Sequence, residues 1–117
     1  MPLEVTSRIE ESFGILDLSG PLTLGPSLNA LRENARQLLS GSKLSGVILR
    51  VQDVTSTDSS GLGELTVIYT LASKRGYPIR LVGVSSNLHK MLELTRLDGL
   101  LPSTSDVPTA KAEMRKQ

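Results

Sequence analysis

Thr57-Asp58-Ser59-Ser60-Gly61-Leu62 decides the fold of this chain. On its N-terminal side stands an apolar run, Val47-Ile48-Leu49, and on its C-terminal side Leu62, Leu65, Tyr69 and Ala72 recur at helical spacing. A hydroxyl pair therefore falls where a strand ends and a helix begins. There it meets the unpaired amides and the positive dipole end of the helix. A phosphate added at that point could be held by the amides or could repel a docked partner.

Working backwards, Gly46-Val47-Ile48-Leu49-Arg50-Val51 reads as a buried central strand, with Asp53 as its solvated terminator. Before it, Leu28, Leu31, Ala35, Leu38 and Leu39 mark one face of a helix, with Ser27 as N-cap and Gly41 as the stop. The first twenty residues give two strands, Val5 to Ile9 and Ile15 to Leu18. They are joined by a turn at Glu11-Ser12-Phe13-Gly14, and Gly20-Pro21 ends the second.

Working forwards, the second helix runs to about Lys74, and Pro78 to Val84 is a further strand. Ser85 or Ser86 caps a short helix with Leu88, Met91, Leu92 and Thr95 inward. Leu100-Leu101 reads as a brief strand, and a polar, weakly amphipathic helix from Pro108 or Thr109 frays at its end. The expected fold is α/β: one mixed sheet of 4–5 strands with about four helices packed on it. An N-terminal hairpin is followed by parallel strands joined through helices. Residues 1–117 read as one domain, without repeat or linker.

Composition removes several function classes. Thirteen basic and twelve acidic side chains give a net charge of +1, and no basic run or aromatic platform supports nucleic-acid binding. No cysteine is present for thiol chemistry or zinc–thiolate sites. The single His89 has no partner at metal-ligand spacing and reads as a partly exposed surface residue. No apolar run approaches the ~20 residues that span a bilayer. Met1-Pro2-Leu3-Glu4 lacks the cationic and then apolar segments of a signal peptide, so a cytoplasmic location is expected.

Enzymatic readings of the serine motif fail on spacing. Thr57, not glycine, stands two residues before Ser59, so there is no nucleophile elbow. Gly61-Leu62-Gly63 lacks the lysine of a phosphate-binding loop, and Thr66 occupies the third glycine position of a dinucleotide loop. Asp53 and Asp58 have no histidine or further acid to complete a catalytic set. The chain therefore reads as a binding protein without enzymatic activity or cofactor. The plain reading makes Ser59 or Ser60 the N-cap, with Glu64 closing a capping interaction. Two features exceed it. Hydroxyls occupy Thr55, Ser56, Thr57, Ser59 and Ser60, and Gly61 and Gly63 both weaken the first turns by up to ~1 kcal/mol each. Glycines placed there suggest close approach of another backbone or a partner.

With Asp53-Val54 before it, the run Asp58-Ser59-Ser60-Gly61-Leu62-Gly63 resembles the signature of STAS domains, the anti-sigma factor antagonist family. Gly20-Pro21-Leu22 after the second strand and the ending Leu92 to Leu101 are similar as well. The resemblance implies a partner switch. Such proteins bind an anti-sigma factor that is itself a serine kinase, lose it on phosphorylation, and are reset by a serine phosphatase. It implies Ser59 as phosphoacceptor, Asp58 and Ser60 as flanking contacts, and Gly61, Leu62 and Gly63 as docking surface. Many antagonists carry an acid in the loop facing the phosphorylation site, whereas Thr23 stands in that place here. The plainer alternative is that Leu22 and Leu24 pack under that loop. The resemblance also admits a second role, as a subunit docking on the ATPase or permease of a lipid or anion transporter. Monomer and weak homodimer are both open.

Overall fold

A computed structural model describes residues 2–116; Met1, part of the N-terminal stretch read above, and Gln117 lie outside them. Among the described residues the order is β1 (Glu4–Glu10), β2 (Phe13–Leu22), α1 (Pro26–Ser40), β3 (Gly46–Thr57), α2 (Ser59–Lys74), β4 (Ile79–Val82), α3 (Ser86–Leu94), β5 (Ser103–Thr104) and α4 (Val107–Arg115). The five strands form one mixed sheet in sequence order. β1 and β2 are antiparallel, and each later neighbouring pair is parallel, as the crossovers through helices require.

Alternation along the strands divides the interior in two. Leu16, Leu18, Val47, Leu49 and Leu81 face the side covered by α1, α2 and α3, where Leu31, Ala35, Leu65, Ile68 and Leu92 meet them. Phe13, Ile15, Ile48 and Val82 face the other side and receive Ala110 and Met114 of α4. Helices on both faces explain why the central strands are apolar at nearly every position. The C-terminal helix is thus a packed element and not a polar appendage: Lys111 on it also pairs with Glu10 and Glu11. Gly46 belongs to this contact, since a Cβ there would stand 2.7 Å from the Met114 sulfur.

Several boundaries differ from the sequence reading for local reasons. The hairpin turn uses only Glu11 and Ser12, at φ 51° and 71°, the left-handed pair a two-residue turn requires. Phe13 and Gly14 are consequently already in β2. That strand does not stop at Gly20-Pro21 but continues to Leu22, because register shifts at Asp17/Ser19 and Gly20/Pro21 absorb the irregularity. β3 likewise passes Asp53 and reaches Thr57, its β-branched residues pairing with that extension of β2. β4 is shorter than expected and lies within Ile79–Val82. The last strand is Ser103–Thr104, whereas Leu101 is buried in the core and Leu100 is exposed. α1 starts at Pro26 behind Gly25, so Ser27 lies inside the helix and is not its cap. Gly41 and Ser85 cap as expected.

Candidate functional site

The two strand extensions carry the site. β2 and β3 run side by side beyond the rest of the sheet, Leu22 opposite Thr57, and α2 starts directly after. The N-cap is Asp58, not a serine. Its Oδ1 accepts from the Gly61 amide at 2.8 Å, and its Oδ2 accepts from the Leu24 amide at 3.0 Å. The Asp58 amide donates to the Leu22 carbonyl at 3.3 Å. One aspartate therefore ties the end of β2, the loop after it and the start of α2. The Leu24 amide first, and the Gly61 amide second, hold the Asp58 carboxyl below its usual pKa.

With Asp58 as cap, both serines are free of that task. Ser59 is the first residue of α2, exposed, with no hydrogen bond from its hydroxyl among the described residues. Ser60 is half-buried. Gly61 and Leu62 are buried, while Gly63 points outward. The two glycines differ in meaning. A Cβ on Gly61 would collide with the Leu22 carbonyl, so the approaching backbone expected there is this chain's own. A Cβ on Gly63 would meet nothing within 4 Å. Gly63 is the glycine that leaves room outside.

Glu64 is buried, and it does not close a capping interaction. Its carboxylate takes two hydrogen bonds from Arg32 of α1, both 2.8 Å. This bidentate pair fixes the first turns of α2 against α1. Leu24, Pro26, Leu28, Arg32, Ser60 and Gly63 line a cleft of about 640 Å³ between the two helix starts. At its mouth the Leu24 side chain is 78% exposed. Leu22, by contrast, is fully buried, so only one of the two leucines packs under the loop. Thr23, half-buried between them, offers the loop no charge.

Thr23, Asp58, Ser60 and Gly63 come to the same end of the sheet as the exposed Ser59, whereas Gly61 and Leu62, expected as docking surface, are buried against β2 and the core. Leu24, read from the sequence as packing under the loop, is exposed instead, and the pairing of Arg32 with the buried Glu64 was not expected. Glu64 had a signal, since it falls among the inward positions Leu62, Leu65 and Ile68, where a lone carboxylate needs a partner. Leu24 had none, because a leucine in a loop is ordinarily covered. His89 is on the surface of α3, 3.5 Å from Glu93. No cluster of three or more metal-ligating side chains occurs among the described residues. No helix there is long and apolar enough to cross a membrane.

Fold and site together define a small α/β domain that displays a serine at a helix start. The family of STAS domains matches residues 3–110, and the chain belongs to it. Similar solved structures include an anti-sigma factor antagonist from Mycobacterium paratuberculosis, at TM-score 0.80 and 18% identity, covering 97% of this chain and 94% of that one. The Bacillus cell fate determinant SpoIIAA in its phosphorylated form matches at TM-score 0.70 and 14% identity, covering 97% and 100%. The murine anion transporter Slc26a9 matches at TM-score 0.78 and 14% identity, covering 99% of this chain but 22% of the transporter.

Proposed function

We propose that this chain is an anti-sigma factor antagonist that works as a phosphorylation-controlled partner switch. Unphosphorylated, it binds an anti-sigma factor that is also a serine kinase; phosphorylation of Ser59 ends the complex, and a serine phosphatase restores it. The observation that carries this reading is the exposed Ser59 hydroxyl, which makes no hydrogen bond among the described residues, with Asp58 and not the serine capping α2 and tying the loop of the exposed Leu24 to it. A hydroxyl with no structural duty is available for modification. A phosphate there adds about −1.5 to −2 charges next to Asp58, whose carboxylate holds the loop that presents Leu24. Loss of a contact in an interface centre under such charge is large, since each ~1.4 kcal/mol is tenfold in affinity. Relatives of this fold include SpoIIAA, whose structure is known in a phosphorylated form, which supports the assignment of a phosphate-bearing role.

A second reading is favoured by one observation. The loop from Gly20 to Pro26 holds no acid and presents Leu24, an apolar contact suited to a permanent partner. That fits a subunit docking on the ATPase or permease of a transporter, and the likeness to a portion of Slc26a9 accompanies it. Affinity capture from source-cell lysate, with wild type and Ser59→Asp as paired baits, separates the readings. A kinase-type ATPase retained by wild type alone, with phosphate mapped to Ser59, supports the switch. Transporter components retained equally by both baits would replace it with the second reading.

A further inference from the structure

We propose that the outer half of β3 is a docking edge for an extended segment of a partner protein, one with alternate apolar side chains and a basic residue. β3 runs to Thr57, but β4 pairs with it only from Val47 to Arg50. On its other side β2 follows β3 all the way to Thr57. β4 leaves this side of β3 after Arg50, and beyond Gln52 the main chain of β3 is paired along the β2 side only. The chain leaves β4 at Gly83, whose φ of +79° brings it against Gln52, where an added Cβ would stand 2.5 Å from the Gln52 Cβ. It then enters α3, which packs on the apolar face through Leu88 and Leu92 and does not extend the sheet. A row of open strand donors and acceptors is complementary to the main chain of another strand.

The sheet's other long edge is protected and this one is not. β1 carries Glu4, Arg8 and Glu10, charges of the kind that discourage edge-to-edge pairing. From Val51 to Thr57, β3 has no lysine or arginine and is β-branched at Val51, Val54, Thr55 and Thr57. Beside it a cleft of about 170 Å³ opens toward α3, lined by Val54, Thr57, Leu88 and Met91 among others. Leu94, on the next turn of α3 after Met91, is 81% exposed. A strand edge flanked by a helix is the arrangement in which main-chain bonds supply affinity and alternate side chains supply selectivity. Asp53 is exposed at this edge with no salt bridge among the described residues, which calls for the basic residue. The edge shares no lining residue with the Leu24 cleft, so it does not rest on the phosphorylation reading.

The test is selection of a displayed library of random short peptides on the full chain, followed by NMR titration of the enriched peptides into isotope-labelled protein. The expected peptides alternate apolar and polar residues with a lysine or arginine. They shift the amides of Gln52 to Thr57 and of Met91, and they give inter-strand contacts to that stretch. Methylating alternate main-chain nitrogens of the best peptide weakens it at least tenfold in one of the two phases. Met91→Glu weakens it as much, with circular dichroism and thermal midpoint kept as controls of folding. Peptides that shift the Leu24 cleft instead, indifference to methylation in both phases, or no binder tighter than about 1 mM would overturn the proposal.

Discussion

The carboxylate of Asp58 holds the main chain of Leu24. The bond from the Leu24 amide to Oδ2 is 3.0 Å and reaches across 34 positions of sequence. Because the other oxygen accepts from Gly61, the loop presenting Leu24 and the helix bearing Ser59 are fixed to each other through one side chain. A docking partner that touches both then meets a preformed surface, and preorganisation lowers the ordering cost of binding.

Replacing Asp58 by asparagine leaves one acceptor oxygen where two amides now donate. Exchange of the Leu24 amide with solvent is expected to quicken in Asp58→Asn, which hydrogen-exchange NMR reads directly. A pH dependence follows as well. The folded Asp58 carboxyl lies below its ordinary 3.8, so its stabilising contribution is fully present above that value. It is lost as pH falls through the lower, folded value. The stability difference between wild type and Asp58→Asn is expected to be flat above about pH 5 and to shrink in acid, as urea titrations at several pH values would reveal.

The glycines on either side of Leu62 should respond oppositely to alanine. Gly61→Ala forces a Cβ into the Leu22 carbonyl, a backbone atom that cannot swing aside. A loss at or above the upper end of ~1–3 kcal/mol is expected. Gly63→Ala meets open space in a helix interior and should stabilise by up to ~1 kcal/mol. Thermal denaturation of the two variants checks both signs.

Removing Glu64 takes away the buried half of an ion pair. Glu64→Ala leaves space beneath α2 and deprives Arg32 of its bidentate partner, although Arg32 reaches water. A destabilisation of about 1–3 kcal/mol is expected in denaturant unfolding. Glu64→Gln preserves the volume and one acceptor, so it should cost less.

Much of this was legible in the residues, for identifiable reasons. The apolar residues of Ile15 to Leu18 and the apolar run after Gly46 mark buried strands, and the period of Leu28 to Leu39 reports a helix. The strand extensions were not legible, because residues 52–57 of β3 are mostly exposed and polar and resemble a loop in composition. Their strand character comes from pairing with β2, a contact between distant segments. The cap was misassigned for a related reason. Ser59, Ser60 and Asp58 are all competent N-caps, and the choice fell to the residue that could also reach Leu24. The α4 contact escaped because Ala110 and Met114 are too few to mark a face until Phe13, Ile15 and Ile48 are seen beneath them.

Variants at Ser59 and Leu24 separate charge from shape in the proposed interface. Ser59→Asp places a negative charge at the first position of α2, where the helix dipole favours it by about 0.3–1 kcal/mol, so folding should be unharmed or slightly improved. Binding of the anti-sigma factor kinase is nevertheless expected to fall at least tenfold, because the same charge stands in the contact. Ser59→Ala should bind like wild type and, unlike it, should resist release on incubation with ATP. Leu24→Ala should leave the thermal midpoint unchanged, since the side chain is 78% exposed, yet weaken binding through lost apolar contact. Calorimetric titration of the four proteins against the kinase measures all of these. Equal affinities throughout would place the partner's contact away from the start of α2 and end the switch reading.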